Sequence, residues 1–179
     1  MQAHSKISII TVCYNSAKTI EQTIQSVLMQ QYPNLEYIII DGASTDGTQT
    51  IVNKYADKIS VFKSERDKGI YDAMNKGISL ATGDIIGLLN ADDLYAHQHV
   101  LFEVSKAFEN DVAACYGDLI YFQQDNPKRS FVIGNQMILR KALLQKDGVH
   151  HILPFLLGAA YTNNMGSLIP VIKWEMMWY

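Results

Sequence analysis

Apolar and polar positions follow two alternating periods along the first 118 residues. Ile7 to Val12 is a short, nearly continuous apolar run, the pattern of a strand covered on both faces. The stretch "NSAKTIEQTIQSVLMQQ" then sets Ile20, Ile24, Val27 and Leu28 at helical spacing. "LEYIII" (35–40) predicts a second buried strand, stopped by the loop residues of "DGASTDGT". From Thr48 a short helix shows Ile51, Val52 and Tyr55 on one side, and "ISVFKS" (59–64) is a third, weaker strand. "GIYDAMNKGISLATGD" places Ile70, Met74, Ile78 and Ala81 on one helical stripe, with Gly83 suited to the helix end. "IIGLL" (85–89) is a fourth buried strand; a helix from about His97 to Phe108 and a strand "AACYGDL" follow.

Strand and helix in alternation, with strands apolar throughout, mean right-handed parallel crossovers in an open α/β sheet flanked by helices. Ligands of such sheets bind beyond the carboxyl ends of the strands. Thr11 to Asn15, Asp41 to Thr48, Asp67 to Gly69 and Asn90 to Asp93 all fall there, so four polar segments converge on one edge.

Composition narrows the possibilities. The 179 residues are 48% hydrophobic and 18% charged, those of a globular chain with a sizeable core. A net charge of −3 without a basic block speaks against nucleic acid as a partner. Cys13 and Cys115 each sit in an apolar run and read as buried thiols. No apolar signal segment opens the chain and no run is as long as a membrane span, so the expected location is the cytoplasm, with peripheral contact at the inner face of the membrane left open.

The chemistry centres on "GLLNADDLY" (87–95), where a buried strand ends in two adjacent carboxylates. Taken alone, Asp92 and Asp93 read as a turn with a helix cap. The longer stretches "SIITVCYNSAKTIEQTIQSVLMQQYPNLEYIIIDGASTDGT", "SERDKGIYDAMNKGISLATGDIIGLLNADD" and "YGDL", in that order over residues 6 to 122, resemble the family 2 glycosyltransferases of GT-A fold. The resemblance implies transfer of a sugar from a UDP-, GDP- or dTDP-linked donor to a glycan or lipid-linked acceptor in polysaccharide biosynthesis, with Mn²⁺ or Mg²⁺ on the diphosphate. A hard cation with oxygen ligands suits that leaving group and needs only one or two carboxylates from the protein. By the same resemblance Asp93 binds the metal, and Asp92 the donor ribose or the metal's outer shell.

Asp41 is expected to accept a base N–H, and the backbone around Thr11, Cys13 and Asn15 to line the base and ribose pocket; Asn15 has helix capping as its other reading. Asp67 and Gly69 are expected beside the donor, and Lys68 is either a cation for the phosphate or a solvated surface side chain. Asn75 shares a helical face with Asp72; it is a candidate donor contact, with a bond to the loop carrying Asp67 as the preferred role. Ser44, Asp46 and Thr48 are expected to shape their loop and cap its helix, and the tyrosines to be core or wall. A nucleotidyltransferase shares the architecture, but the glycine-rich N-terminal loop of that class is absent.

The resemblance divides the chain into a donor-binding domain, residues 1–129, and an atypical tail, 130–179, leaving the acceptor region incomplete. Relatives continue with Pro-His-Pro-Thr, then Gly-x-Phe-Asp, then a carboxylate base, which inverting transfer needs to take the acceptor proton. The tail shows none of these. Joining each codon's third base to the first two of the next, however, lets "QKDG" read Lys-Gly-Trp and "VHHILPF" read Pro-Pro-His-Pro-Thr-Phe. "MGSLI" can become Gly-x-Phe-Asp, and an acidic pair can arise across Glu175, Met176 and Met177, where Met176–Met177 must read Asp and Glu175–Met176 can. The expectation is a frameshift between roughly residues 129 and 145, and with it the alternative of an inactive donor-binding remnant.

Overall fold

The structure, a computed structural model, describes residues 4–110, 112–116, 119–123, 126–133, 137–140 and 160–162. Strands β1 (Ile7–Cys13), β2 (Leu35–Asp41), β3 (Val61–Ser64) and β4 (Ile85–Asn90) alternate with helices α1 (Ile20–Leu28), α2 (Thr48–Asn53) and α3 (Ile70–Leu80). They pair in parallel, in the order β3-β2-β1-β4. Helix α4 (Val100–Ala107) follows, then β5 (Val112–Tyr116), β6 (Leu119–Gln123), β7 (Asn126–Ile133), β8 (Met137–Arg140) and β9 (Ala160–Thr162).

The unbroken apolar strands are explained by cover on both faces. On one, Ile7, Ile9, Tyr37, Ile39 and Leu89 pack with Ile20, Ile24 and Val27 of α1 and Leu101 of α4. On the other, Ile10, Val12, Ile38, Ile40 and Ile86 pack with Ala73 and Ile78 of α3. Gly77 lets α3 lie close to the sheet: a side chain there would run into Ile10.

The expected open, mostly parallel α/β sheet is present, and its later part differs in detail. Residues 160–162 add β9 antiparallel to both β4 and β5, between them, so β5 joins the sheet two places from β4. "AACYGDL" is not one strand, since Leu119 belongs to β6, which pairs with β7 in a separate two-stranded sheet. Helix α4 begins at Val100 rather than His97, with the backbone around its start bonded to the segment that follows α1. Gln30 donates to the His97 carbonyl at 2.8 Å and accepts from the Leu101 amide at 3.2 Å, and the Gln31 amide donates to the Gln98 carbonyl at 2.9 Å. The segments expected to carry the shifted motifs, 145–155, 165–169 and 175–177, lie outside the described residues.

Candidate functional site

Strand register sets the site's floor. It aligns Cys13, Asp41 and Ser64 in one row across β1, β2 and β3, with Asn90 beside Val12. That row decides the surroundings of Asp41, which is 0% exposed. Its carboxylate accepts the Ser64 hydroxyl at 2.6 Å, the Ser44 amide at 3.1 Å, the Ser44 hydroxyl, and the Cys13 thiol at 3.7 Å. Asp41 thus holds the turn after β2, and a base N–H would reach it only by displacing Ser44 or Ser64. Burial, then the Asp41 charge, pushes the Cys13 thiol far up, so it stays protonated. Thr11 is also enclosed, its hydroxyl paired with Tyr37 at 3.1 Å. The open edge of this strand end therefore begins at Tyr14 and Asn15.

Two loops are stitched together above that floor. The Asn15 amide donates to Ser44 Oγ at 2.8 Å and the Asn15 side chain accepts from the Thr45 amide at 3.0 Å. The Ser16 amide donates to Thr48 Oγ1 at 2.8 Å, and the Ala17 amide to Asp46 at 2.9 Å. Asn15 takes a left-handed φ of 50° to do this, and it does not cap α1, whose cap position is Thr19. Ser44, Asp46 and Thr48 shape their loop, as the sequence suggests, but the cap position of α2 is Gly47, and only Asp46 reaches the helix start, accepting the Thr48 amide at 3.0 Å.

The third loop closes against the second. Asp67 accepts the Gly69 amide at 2.8 Å, and its other oxygen lies against Gly42. Gly69, at φ +112°, turns the chain into α3. The Lys68 amide donates to Asp72 at 3.1 Å, while the Lys68 side chain is exposed. Asn75 does not secure this loop through its Oδ1, which is buried and unpartnered among the described residues. Lys76 does so instead, bonding the Arg66 carbonyl at 3.0 Å and pairing with Glu65 at 3.0 Å and Asp72 at 3.2 Å. The four-residue spacing of Asp72 and Lys76 is the signal that would have found it.

At the end of β4 the two carboxylates differ. Asp92 is exposed; Asp93 is half-buried, its amide donating to the Asn90 carbonyl at 3.1 Å and its carboxylate accepting from the Asn90 side chain at 3.1 Å. Burial and then the Asp92 charge raise the Asp93 carboxyl above its usual range, against the Asn90 bond. A desolvated oxygen beside a second carboxylate is a donor set that a divalent cation would relieve, and oxygen-only ligation suits Mg²⁺ or Mn²⁺. The pair fits such an ion as two of its ligands. Among the described residues no group of three or more His, Cys, Asp or Glu forms a full cage, so water and phosphate would complete the shell. Tyr14, assigned by its sequence to core or wall, is 65% exposed, with its ring against Gly42 on the same edge.

This arrangement of strand ends and carboxylates has known counterparts. The family model for Glycosyl transferase family 2 matches residues 8–161. The chain belongs to that family. The match continues past residue 130, further than the stretches quoted above.

Among relatives, the chain is 30% identical over 144 residues to UDP-Glc:alpha-D-GlcNAc-diphosphoundecaprenol beta-1,3-glucosyltransferase WfgD of Escherichia coli, covering 80% of this chain and 56% of that one. It is 33% identical over 132 residues to the cholesterol galactosyltransferase of Borreliella burgdorferi, covering 72% and 37%. The chain thus spans less than two thirds of either relative's length. Among solved structures it resembles mannosyltransferase PcManGT from Pyrobaculum calidifontis in complex with GDP-Man and Mn²⁺, with TM-score 0.58 and 28% identity over 63% of this chain and 35% of that one. S. aureus TarS 1-349 in complex with UDP-GlcNAc gives TM-score 0.57 and 26% identity over 61% and 33%. These neighbours share the GT-A form of the α/β fold. Among the described residues no helix is long and apolar enough to cross a membrane.

Proposed function

We propose that residues 1–129 bind a nucleoside diphosphate sugar at the carboxyl edge of β1 to β4, as the donor half of a glycosyltransferase acting on a glycan or lipid-linked acceptor. The observation that carries this reading is the convergence of three interlocked loops with a carboxylate pair, exposed Asp92 and half-buried Asp93, on one sheet edge. The GDP-Man, UDP-GlcNAc and Mn²⁺ in the neighbours' complexes support it.

In this reading Asp93, with Asp92, holds the cation against the diphosphate. When bound, Mg²⁺ or Mn²⁺ supplies positive charge to a leaving group that becomes more negative as the glycosidic bond breaks. Asp67 and Gly69 set the start of α3 beside the phosphates, where the positive end of the helix dipole favours an anion, and Lys68 adds an exposed cation. Tyr14 presents an aromatic face to the base. Asp41 acts on the base pocket through the turn it holds, or directly where a base displaces a serine.

The test is calorimetric titration with UDP, GDP and dTDP and their sugar esters, with and without Mn²⁺, on the parent and Asp93→Ala. Metal-assisted binding by the parent and its loss in the variant are expected; equal affinity with and without metal overturns the role of the pair. A second reading, a donor-binding remnant that transfers no sugar, is favoured by the motifs that the tail's amino acids allow when its codons are read one base earlier.

A further inference from the structure

We infer that Lys76 is a positioning residue for the donor: it braces the loop carrying Asp67 and Gly69 in the form that receives the diphosphate, without touching the ligand itself. This rests on the donor-site reading above and goes beyond it, because donor affinity then depends on a residue of α3 that makes no contact with the donor. The Lys76 ammonium has three protons and three oxygen partners: the Arg66 carbonyl at 3.0 Å, Glu65 Oε1 at 3.0 Å and Asp72 Oδ2 at 3.2 Å. Its donors are all engaged within the protein, and none remains for a phosphate.

Each partner ties down a different part of the site. Arg66 immediately precedes Asp67, whose carboxylate accepts the Gly69 amide at 2.8 Å and lies against Gly42. Asp72 Oδ2 also accepts the Lys68 amide at 3.1 Å, so one oxygen joins Lys76 to the turn that enters α3. The Glu65 amide donates to the Asp41 carbonyl at 2.9 Å, which joins Lys76 to the end of β2. The loop from 65 to 69 is therefore held near both ends by a single cation. The bond from Lys76 lowers the Glu65 carboxyl below its usual range, and the bond to Glu65 raises the Lys76 ammonium, so both stay charged around neutral pH. These pairs lie at the surface, where an ion pair adds little to global stability. Their effect falls on where the loop sits.

The experiment compares Lys76→Met and Lys76→Arg with the parent 179-residue chain. Hydrogen exchange without ligand follows the Lys68 and Gly69 amides against those of β1 and β2. Calorimetry measures binding of UDP, GDP, UDP-GlcNAc and GDP-Man in Mn²⁺. In Lys76→Met the two loop amides should exchange faster and the strand amides at the parent's rate, and the parent's ligand should bind about fivefold more weakly. Lys76→Arg keeps the charge and has donors enough for the same three oxygens, so it should restore both. In an Asp67→Ala background Lys76→Met should remove little further affinity, because the group it positions is already gone. Unchanged affinity in Lys76→Met overturns the inference, as does equal acceleration of the strand amides, which marks a general support of the fold. A full additive loss in the Asp67→Ala background also overturns it, by assigning Lys76 to the ligand itself. A parent that binds none of the four overturns the donor reading, and this inference with it, while the exchange rates still report the brace.

Discussion

At the scale of single residues, Gly42 and Gly69 make different demands on the same loop. A Cβ on Gly42 would stand 2.6 Å from Asp67 Oδ2 and 3.3 Å from the Tyr14 ring, so the obstacle is contact. A Cβ on Gly69 would meet nothing within 4 Å, and the obstacle is its backbone, at φ +112°. Gly42→Ala should therefore cost about 1–3 kcal/mol of stability as overpacking, and Gly69→Ala about 1–2 kcal/mol as backbone strain. Urea unfolding in an Asp67→Ala background tells them apart. Most of the Gly42 penalty should vanish there and the Gly69 penalty should persist, whereas two equal responses would refute this division. The sequence brings Asp67, Lys68 and Gly69 to notice but not Gly42, because the contact joins residues 25 positions apart. Asp41 is a similar case. Its place at a strand end is legible, but its enclosure depends on the register that sets Cys13 and Ser64 on either side.

Among the elements, β1, β2 and β4 were readable because continuous apolar runs bounded by loop residues leave little choice. The later strands were not, since pairing such as that of β9 is set by partners far away in sequence. The strands' amino ends, opposite the site, are locked by a polar cluster. Glu36 of β2 accepts from Lys6 at 2.8 Å, from the Thr82 amide at 2.8 Å and the Thr82 hydroxyl at 2.6 Å, and from Ser8 of β1. Ser8 in turn accepts the Gly83 amide at 2.8 Å, just before β4. Burial works to raise the Glu36 carboxyl, but these bonds outweigh it and hold it at about 2, against 4.5 when unfolded. The unfolded chain therefore gains a proton at a pH where the folded one does not. The stabilisation is complete above pH 4.5 and falls away as the pH drops towards 2, by about 3 kcal/mol in all. Glu36→Gln should be less stable at pH 7 and show a flatter loss of stability from pH 4.5 to 2. Parallel profiles for variant and parent would refute the assignment.

For the whole molecule, the decisive question is which protein the gene encodes after the donor half. A divergent but in-frame tail and a shifted one place different residues beside β4, where 160–162 now pair. The family match to residue 161 runs through 129–145, where the break would fall, and ends before 165–169 and 175–177. The two readings differ at the codons. A shifted frame requires third bases that give Lys-Gly-Trp across 145–148 and Pro-Pro-His-Pro-Thr-Phe across 149–155; two of the later motif junctions are fixed by the amino acids themselves and do not discriminate. The single codon of Met165, followed by glycine, must give Gly, and Met176 followed by Met177 must give Asp. We therefore expect gene sequencing to show these triplets one base earlier, with the break between roughly codons 129 and 145. Restoring the frame should supply the carboxylate base that an acceptor hydroxyl needs and produce sugar transfer with Mn²⁺, where the 179-residue chain is expected to give none. Third bases that spell other residues, or transfer by the 179-residue chain itself, would reject the shifted frame and leave the donor site as described.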